Sequence, residues 1–357
     1  MRKQKPRADI RVWCDRGYAL QTRQLLDVNT RVDVIVSGKY RRYANLSLWS
    51  HVRYHMIKTH LANFVDIFKI FFGFLQSLVK LIIWRPNVIF CKGGFVCLPV
   101  GIAARVLRIS VVIHDSDSVP GLTNRVLARF ASSIGTGLPI ENYPNYRRSI
   151  TKFVGIPVRE GFKILNTKQK DFAKEQFNFS ADKKLAVVIG GGLGSRNLNE
   201  AALLAAPNIV KNDMQMLIVS GDNQGFPIDN LPPNVQVIPF ITDGMPDLLG
   251  AADVVVTRAG ATSLAELAAV ATPTIIVPNH HLASDHQTKN AAVYEAADAA
   301  LVINPRELEN TPTALGLEIL RLAKNEKLSK RLGQNLHKFS KANALEQMTE
   351  MILKAIK

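Results

Sequence analysis

The sequence has little that would mark a metalloprotein, a disulfide-stabilised protein or a secreted protein. Its 357 residues include only three cysteines, Cys14, Cys91 and Cys97, and their spacing fits neither a metal site nor a disulfide framework. They are predicted to be free thiols in a reducing compartment. The opening segment MRKQKPRADIRVWC has no apolar stretch before a cleavage site, so no secretory signal is expected and a cytosolic location is the default.

Two common site patterns are also missing. In VVIGGGLGSRNLNE (187–200), Ser195 stands where the dinucleotide fingerprint G-x-G-x-x-G needs its third glycine, and the next strand, MLIVS, does not end in an acid. The nicotinamide interpretation is therefore disfavoured. The histidines of NHHLASDHQTKNA (279–291) match no standard zinc spacing. Their imidazole and amide groups fit hydrogen bonding to a polyhydroxylated substrate, such as a sugar, better than a metal.

The charge is strongly unbalanced. The net charge is +16, and residues 1–60 hold 13 Lys and Arg against 4 acidic residues, an excess of 9. Such an excess indicates an anionic partner: nucleic acid, a lipid surface or phosphorylated substrates. Nucleic acid is disfavoured, because the basic residues are not interleaved with stacking aromatics in a recognisable module. A hydrophobic content of 47% is typical of a globular protein.

Short apolar runs alternate with helical patterns along the whole chain, which predicts parallel sheets covered on both faces. Together with the length, this favours two doubly wound α/β domains, with the turn at Gly155–Pro157 as the hinge. A final helical segment from about 333 to 356 could return to the first domain. Strands are expected at 9–14, 33–36, 87–91, 110–114, 151–154, 185–189, 216–220, 235–238, 253–256 and 274–277, and helices at 50–84, 98–107, 121–131, 196–211, 260–270 and 284–296.

Residues 61–84 form an apolar stretch long enough to suggest a membrane span. A stripe of polar or small residues at helical spacing argues against lipid on all sides; it comprises Asp66, Lys69, Gly73, Gln76 and Lys80. One interpretation is a helix whose apolar face packs in the core. The other, which we favour, is peripheral contact of that face with a membrane, helped by the basic residues Arg41, Arg42, Arg53, Lys58 and Arg85.

Three glycine-containing segments join a strand to a helix, at 187–200, 91–101 and 257–269. The start of a helix presents unpaired N–H groups and the positive end of its dipole, so such a junction favours a diphosphate. In the third segment, Thr262 and Ser263 can contact phosphate oxygens, and Glu266 can accept two ribose hydroxyls. The alternatives are glycines that serve only tight packing and a glutamate that only complements the dipole.

Seven motifs occur in order, and together they resemble the MurG family of glycosyltransferases (family 28). They are CKGGFVCLP, HDSDSVPGLTNR, VGIPVR, VIGGGLGSRNLN, FITDGMPDLL, ADVVVTRAGATSLAELAAVATPTIIVP and HQTKNA. The resemblance runs from about residue 9 to the C-terminal helix. It implies the GT-B fold, in which two doubly wound Rossmann-like α/β domains face a cleft. The expected acceptor- and membrane-binding domain is 1–155, with 333–357 packing back on it, and the expected donor domain is 156–332.

The resemblance also implies an activity. The family transfers N-acetylglucosamine (GlcNAc) with inversion from UDP-GlcNAc to the C4 hydroxyl of N-acetylmuramic acid (MurNAc) in lipid I, undecaprenyl-pyrophosphoryl-MurNAc-pentapeptide, and so forms lipid II for peptidoglycan. No metal and no other cofactor is implied. The implied location is peripheral, on the anionic inner surface of the cytoplasmic membrane.

Site residues are carried over by position. Arg159 and the backbone of Gly191 and Gly192 would hold the diphosphate. The backbone of Ile241 would contact uracil, and Glu266 the ribose. The segment before Glu266 would line the nucleotide, with Ala261, Thr262, Ser263, Leu264 and Ala265. The remaining residues would contact the sugar or face the cleft: Gln287 and Asn290 in the donor domain, Asp117 and Asn124 in the acceptor domain.

The chain also departs from the family pattern. The family opens with a strand and a GGTGGH-type loop whose histidine is the leading candidate for the general base, and this sequence begins after that position. His114 and Asp115 are then the base candidates, and the first domain is expected to be incomplete and the activity reduced. Asp117, Ile156 and Gly192 stand where the family has Asn, Asn and Ser. Two alternatives stay open: another GT-B lipid glycosyltransferase, or a catalytically impaired, membrane-associated UDP-sugar-binding protein.

Overall fold

The computed structural model describes residues 4–38, 55–191, 194–221, 230–279 and 285–356, without the side chains of 55–61 and of residue 309. Several predicted residues lie outside this part of the chain: Arg41, Arg42, Arg53, Gly192, His280, His281 and the side chain of Lys58. The chain divides into two compact units. The first is Met1–Val154 together with Leu345–Lys357, and the second is Gly155–Ala344.

The first unit contains two parallel sheets. Strands β1 (Arg11–Cys14) and β2 (Arg31–Val34) pair with each other. The other four strands pair in the order β3-β4-β5-β6, namely Val88–Cys91, Ser110–Asp115, Ser133–Thr136 and Thr151–Phe153. Its helices are α1 (Ala19–Leu25), α2 (His55–Trp84), α3 (Cys97–Val106) and α4 (Leu122–Leu127), with most of α13 (Ala344–Lys354) at the end of the chain.

The second unit is a doubly wound domain. Its strands are β7 (Lys184–Ile189), β8 (Met214–Val219), β9 (Val235–Ile238), β10 (Val254–Thr257), β11 (Thr274–Ile276) and β12 (Leu301–Val302). Its helices are α5 (Thr167–Gln176), α6 (Arg196–Lys211), α7 (Met245–Ala251), α8 (Ala261–Val270), α9 (His286–Ala296), α10 (Pro305–Asn310), α11 (Ala314–Lys324) and α12 (Glu326–His337).

The six strands of the second unit pair in the order β12-β11-β10-β7-β8-β9, all in parallel. Read from β9 and counted along the chain, this is the 3-2-1-4-5-6 order of a Rossmann-type sheet. The core beneath it is aliphatic, with Val188, Leu198, Met216, Ile218 and Val256 buried in one cluster. In such a sheet the direction of winding reverses between β7 and β10, so their carboxyl ends are where a ligand is expected.

Helix α2 has an unusual orientation, with its polar stripe facing the protein. Asp66 and Ser77 are buried, whereas Phe64, Phe71 and Phe72 are more than half exposed. This outcome contradicts the interpretation in which the apolar face packs in the core. Ala62–Trp84 is the one helix among the described residues that is long and apolar enough to cross a membrane, by length and composition only, and 17% of its most apolar window is buried.

Contacts with the end of β2 explain the orientation of α2. Gln76 accepts a hydrogen bond from the Val36 amide (2.8 Å) and donates one to the Val34 carbonyl (3.1 Å). Lys80 pairs with Asp33 at 2.7 Å. A Cβ atom on Gly73 would lie 1.9 Å from the carbonyl oxygen of Val36, so glycine allows the helix backbone to pack directly on this segment. The polar stripe therefore provides hydrogen-bond partners for the backbone of Val34 and Val36, at the end of β2 and just after it.

The strands and helices that were predicted agree with the structure within a few residues, but the prediction left out the strands β5 and β12 and the helices α1, α5, α7, α10 and α11. Strand β5 was not expected, because the segment Ser-Ile-Gly-Thr is short and only partly apolar. The single helical segment predicted over 333–356 is two helices, α12 and α13. They are separated by Lys338–Asn343, where Lys338, Phe339 and Ser340 close a turn on the end of α12.

Candidate active site

The second unit has a pocket at the carboxyl ends of its central strands. Ile189 from β7, Val219 from β8 and Thr257 from β10 lie in its wall, close to Gly191 and Gly221. The rest of the lining comprises Arg159, Pro239, Phe240, Ile241, Met245, Leu249, Val255, Ser263, Glu266 and Leu267. The pocket thus occupies the position that the strand order predicts for a ligand.

Helices α6 and α8 begin beside the ends of β7 and β10 without a side-chain cap. The side chain of Ser195 accepts no hydrogen bond from α6, and Gly260, which precedes α8, has no side chain that could cap the helix. By contrast, Asn166, Asn304 and Asn325 cap α5, α10 and α12, none of which lines the pocket. First-turn N–H groups lack partners within their own helix and attract anions. The pocket therefore has two helix starts suited to phosphate oxygens.

Arg159 and Glu266 supply the charges of the pocket. Burial raises the pKa of Glu266, and the positive charge of Arg159 partly offsets this. A carboxylate in this setting accepts hydrogen bonds from hydroxyl groups, and an exposed guanidinium donates to phosphate oxygens. The pair can therefore bind the sugar and phosphate parts of a nucleotide.

Arg258, which the sequence reasoning missed, organises the rim between the two central strands. Its guanidinium donates to the Ser195 hydroxyl and to the carbonyls of Val277 (3.0 Å) and Pro278 (3.2 Å). The hydroxyl that would otherwise cap α6 is thus held by an arginine. The position of Arg258 directly after the apolar run Val254–Thr257 was the available signal.

Asn199 is a second residue that the sequence reasoning missed. It is fully buried, and its amide donates to the Ser220 carbonyl at 2.9 Å. The same carbonyl lies 2.1 Å from where a Cβ on Gly194 would stand, and Gly194 has a φ of 72°. Asn199 and Gly194 therefore bring the loop before α6 against the end of β8, which only glycine permits at that point.

The other predicted donor-site residues lie in and around α8 and α9. Ser263 lines the pocket, and Ile241 does so with little exposed surface. Leu264 is buried, and its amide donates to the Gly260 carbonyl, so it supports the helix and does not face the pocket. Ala261, Thr262 and Ala265 belong to the first turns of α8 without lining the pocket.

Gln287 and Asn290 face the backbone of neighbouring loops. The Gln287 side chain accepts a hydrogen bond from the Asn279 amide at 2.9 Å. Asn290 is buried and donates to the Ala259 carbonyl at 3.1 Å. In this structure both amides hold the loops that lead to α8 and α9, and the predicted sugar contact stays a proposal.

In the first unit, the predicted base candidates lie at the end of β4. His114 is fully buried, and its Nδ1 lies 3.3 Å from the Ser116 hydroxyl. Asp115 is almost fully buried and accepts a hydrogen bond from Tyr146 at 2.8 Å. Burial raises the pKa of Asp115 to about 6, while the hydrogen bond from Tyr146 acts in the opposite direction. A carboxylate with such a pKa suits general base catalysis.

Two tyrosines hold the loop that follows β4. Tyr146 binds Asp115, and Tyr143 donates to the carbonyl of Asp117 at 2.7 Å. Their rings are stacked, with centroids 5.6 Å apart. Asn124, at the start of α4, is buried and donates to the His114 carbonyl at 3.1 Å. The loop that carries the predicted acceptor-site residues is thus fixed at both ends.

Two parallel α/β units, one with a pocket at its switch point, match the GT-B fold of glycosyltransferases. The N-terminal domain model of glycosyltransferase family 28 matches residues 43–136, and the C-terminal domain model of that family matches 185–348. The chain belongs to glycosyltransferase family 28, and it is a hexosyltransferase.

Relatives agree with this assignment. The UDP-N-acetylglucosamine–N-acetylmuramyl-(pentapeptide) pyrophosphoryl-undecaprenol N-acetylglucosamine transferase of Listeria welshimeri is 33% identical, over 83% of this chain and 82% of the relative. The enzyme of that name from Clostridium botulinum is 32% identical, over 90% of this chain and 84% of the relative. The crystal structure of Acinetobacter baumannii MurG, 24% identical, has the same fold, with a TM-score of 0.73 over 98% of this chain and 92% of that one.

Proposed function

We propose that this chain transfers GlcNAc with inversion from UDP-GlcNAc to the C4 hydroxyl of MurNAc in lipid I and so forms lipid II. The observation that carries the proposal is the pocket at the ends of β7 and β10, with Arg159, Glu266 and two helix starts without side-chain caps. Relatives of about one-third identity carry the name of this activity over most of the chain.

The second unit binds the donor in this proposal. Glu266 accepts the ribose hydroxyls, and the turn at Ile241 contacts uracil through its backbone. Gly191, together with the starts of α6 and α8, surrounds the diphosphate. When the bond from the anomeric carbon to the phosphate oxygen breaks, negative charge develops on the β-phosphate of UDP. Arg159 and the helix N–H groups stabilise that charge.

The first unit binds the acceptor in this proposal and supplies the base. His114 is fully enclosed, whereas Asp115 carries a carboxylate whose pKa of about 6 leaves it ionised and still basic at neutral pH. We therefore rank Asp115 ahead of His114 as the group that takes the proton from the C4 hydroxyl. Asp117 and Asn124 position the acceptor from the loop that Tyr143 and Tyr146 hold.

Helix α2 rests on the anionic inner face of the membrane in this proposal. Its outward face carries Phe64, Phe68, Phe71 and Phe72, all about half exposed. The inward face binds β2 through Gln76 and Lys80, so this helix is not surrounded by lipid. A helix with one apolar face and one bound face lies along a bilayer surface, where the net charge of +16 adds attraction to anionic lipid.

The reaction is tested by incubating the purified chain with membranes that contain lipid I and with radiolabelled UDP-GlcNAc. The expected product is labelled lipid II, identified by chromatography against an authentic standard. A different labelled lipid would assign the chain to another lipid glycosyltransferase activity. Binding of UDP-GlcNAc without transfer would support the proposed donor site and reject the proposed transfer reaction.

The variant Arg159→Ala tests the leaving-group step. Because Arg159 acts on charge that develops in the transition state, kcat should fall about 100- to 1000-fold, by analogy with the loss of one oxyanion donor. Arg321→Ala is the matched control, since Arg321 is exposed on α11 and pairs with Glu318. Equal rates for the two variants would remove Arg159 from the mechanism.

A further inference from the structure

Two cysteines stand at the two ends of the glycine loop that connects β3 to α3. Cys91 is the last residue of β3, and Cys97 is the first residue of α3, so five residues, Lys-Gly-Gly-Phe-Val, separate them. Cys91 is buried, with 1% of its surface exposed, whereas Cys97 is partly exposed. The donor, acceptor and membrane contacts proposed above use neither thiol.

The two thiols are hydrogen-bond partners of each other. Cys97 also donates to the carbonyl of Gly93, with 2.7 Å between sulfur and oxygen. The hydrogen bond with the Cys91 thiol lowers the pKa of Cys97, burial acts in the opposite direction, and the backbone amides of Lys92 and Gly93 lower it further. The pKa of Cys91 is raised by its hydrogen bond with Cys97 and by burial. The two thiols thus lie side by side, one buried at the end of β3 and one partly exposed at the start of α3.

We propose that Cys91 and Cys97 form a reversible disulfide, so that the glycine loop between β3 and α3 is a redox-modification site. The thiolate is the reactive form of cysteine, and an accessible thiolate with a neighbouring thiol is the usual arrangement of a redox-sensing pair. In a reducing compartment, a disulfide of this kind is transient and regulatory rather than structural.

The oxidant of this step is a hydroperoxide, with hydrogen peroxide as the simplest case. The Cys97 thiolate attacks one peroxide oxygen, the O–O bond breaks, hydroxide leaves, and Cys97 becomes a sulfenic acid. The Cys91 sulfur then attacks the Cys97 sulfur, and its proton leaves with the hydroxyl group as water. In total, two thiols and one hydrogen peroxide give one disulfide and two waters. A dithiol reductant reverses the change.

The disulfide would act on the acceptor side of the first unit. The loop passes close to Asn124, because a Cβ on Gly93 would lie 3.3 Å from the Asn124 amide nitrogen. Forming the S–S bond removes the thiol hydrogen that Cys97 donates to the Gly93 carbonyl. The loop must then change its contacts beside Asn124. A slower transfer reaction after oxidation is therefore expected, and this consequence, unlike the disulfide itself, rests on the proposed function.

Trypsin provides a direct test, because it cuts after Lys92, between the two cysteines. The reduced full-length chain is treated with hydrogen peroxide, remaining thiols are alkylated, and the digest is analysed by mass spectrometry. The expected species joins the peptide 81–92, in which Pro86 protects Arg85 from cleavage, to the peptide 93–105. Dithiothreitol should separate it into the two peptides. Alkylated or over-oxidised Cys97 with Cys91 still a thiol would overturn the proposal.

A second measurement separates the roles of the two thiols. In Cys91→Ser, the sulfenic acid on Cys97 has no partner, so dimedone should label Cys97 several-fold more than in the natural chain. Cys14→Ser is the matched control, because Cys14 lies on β1 and outside the pair. Equal dimedone labelling of Cys97 in the natural chain and in Cys91→Ser would show that Cys91 does not resolve the sulfenic acid. If a variant folds poorly, the mass spectrum of the natural chain still tests whether the disulfide forms.

The effect on transfer is read from the same oxidised samples. Lipid II formation is expected to fall several-fold in the natural chain and in Cys14→Ser, and to recover with dithiothreitol. In Cys97→Ser, the peroxide should leave the rate unchanged relative to its own untreated sample. If the cross-linked peptides form but the rate of lipid II formation does not change, the modification site is supported and its regulatory effect is rejected. An inactive chain that still forms the disulfide would count against the proposed function alone.

Discussion

The two units differ in where their charged site residues and their exposed aromatic side chains lie. The second unit keeps an aliphatic core, including Leu198 and Met216, and places Arg159 and Glu266 at a pocket on the edge of its sheet. The first unit buries His114, Asp115 and Asp66, and it exposes a row of phenylalanines on α2. The pattern of the second unit fits the nucleotide donor that we propose for it. The pattern of the first unit fits a domain whose partner is itself apolar on one side.

The contrast has an energetic cost. Buried polar groups are tolerated when hydrogen bonds satisfy them, and each exposed aromatic forgoes the stabilisation that burial would bring. In the first unit, Tyr146 and Asn124 provide such hydrogen bonds around the end of β4. In the described part of the first unit, the outward aromatics Phe64, Phe71 and Phe72 stay more than half exposed. A membrane surface would supply the burial that the fold itself leaves out.

The largest effect on stability is expected where α2 packs on the segment after β2. In Gly73→Ala, the new Cβ would lie 1.9 Å from the Val36 carbonyl, and we expect the first unit to lose about 2 kcal/mol of stability. All three tryptophans, Trp13, Trp49 and Trp84, belong to the first unit, so tryptophan fluorescence during urea unfolding reports on this unit.

Gly121→Ala is the control for this measurement. Gly121 precedes α4 in the same unit, and a Cβ there would meet nothing within 4 Å. Its unfolding midpoint should stay close to that of the natural chain. If both alanine variants unfold at the same urea concentration, the close approach of α2 does not stabilise the first unit.

The pocket of the second unit is tested by Glu266→Gln, which keeps the shape and removes the charge. Hydrogen bonds to charged groups contribute about 1.5–3 kcal/mol, so the KM for UDP-GlcNAc should rise about 10- to 100-fold. Because ribose is bound equally before and during the reaction, kcat should change much less. Glu200→Gln, an exposed site on α6 whose side chain pairs with Arg196, should leave both constants unchanged. A fall in kcat at constant KM would contradict the ribose role.

Much of the second unit could be predicted from the sequence, because its apolar runs and glycine junctions are local patterns. The helix predicted at 196–211 is α6, and the strand predicted at 235–238 is β9. Arg159 and Glu266 were placed by motif, and both line one pocket. Each of these two residues lies within a short motif, so each could be recognised from its neighbours in the sequence.

The first unit was harder to predict, because its site depends on contacts between distant residues. Periodicity showed a polar stripe on α2 but could not show which face meets the protein; that depends on Gln76 and β2, which are 42 residues apart. The bond between Tyr146 and Asp115 spans 31 residues and belongs to no motif. Such long-range pairs leave no periodic signal in one sequence.

The exposed face of α2 is tested with the double variant Phe71→Ser and Phe72→Ser. Binding to vesicles of phosphatidylglycerol and phosphatidylethanolamine, measured by sedimentation, should weaken at least about 10-fold, since one buried aromatic contributes about 1.5–3 kcal/mol. Phe172→Ser is the control, because Phe172 is 62% exposed on α5 of the second unit. Equal vesicle binding by the natural chain and the double variant would remove this face from the proposed membrane contact.

The smallest effect is expected at the buried carboxylate, from Tyr146→Phe. Burial and the negative charge of Asp117 raise the pKa of Asp115, whereas hydrogen bonds from Tyr146 and Asn124 lower it. Losing the tyrosine hydroxyl therefore raises the pKa of Asp115 further above its value of about 6. Because the base must be ionised, the acidic limb of the plot of kcat/KM against pH should move to higher pH, by about one unit or less. Tyr143→Phe removes the hydroxyl that donates to the Asp117 carbonyl and leaves the hydrogen bond to Asp115 in place, so its acidic limb should not move. If the two variants have the same acidic limb, Asp115 does not control the reaction, and the buried polar cluster of the first unit serves only to hold its loop.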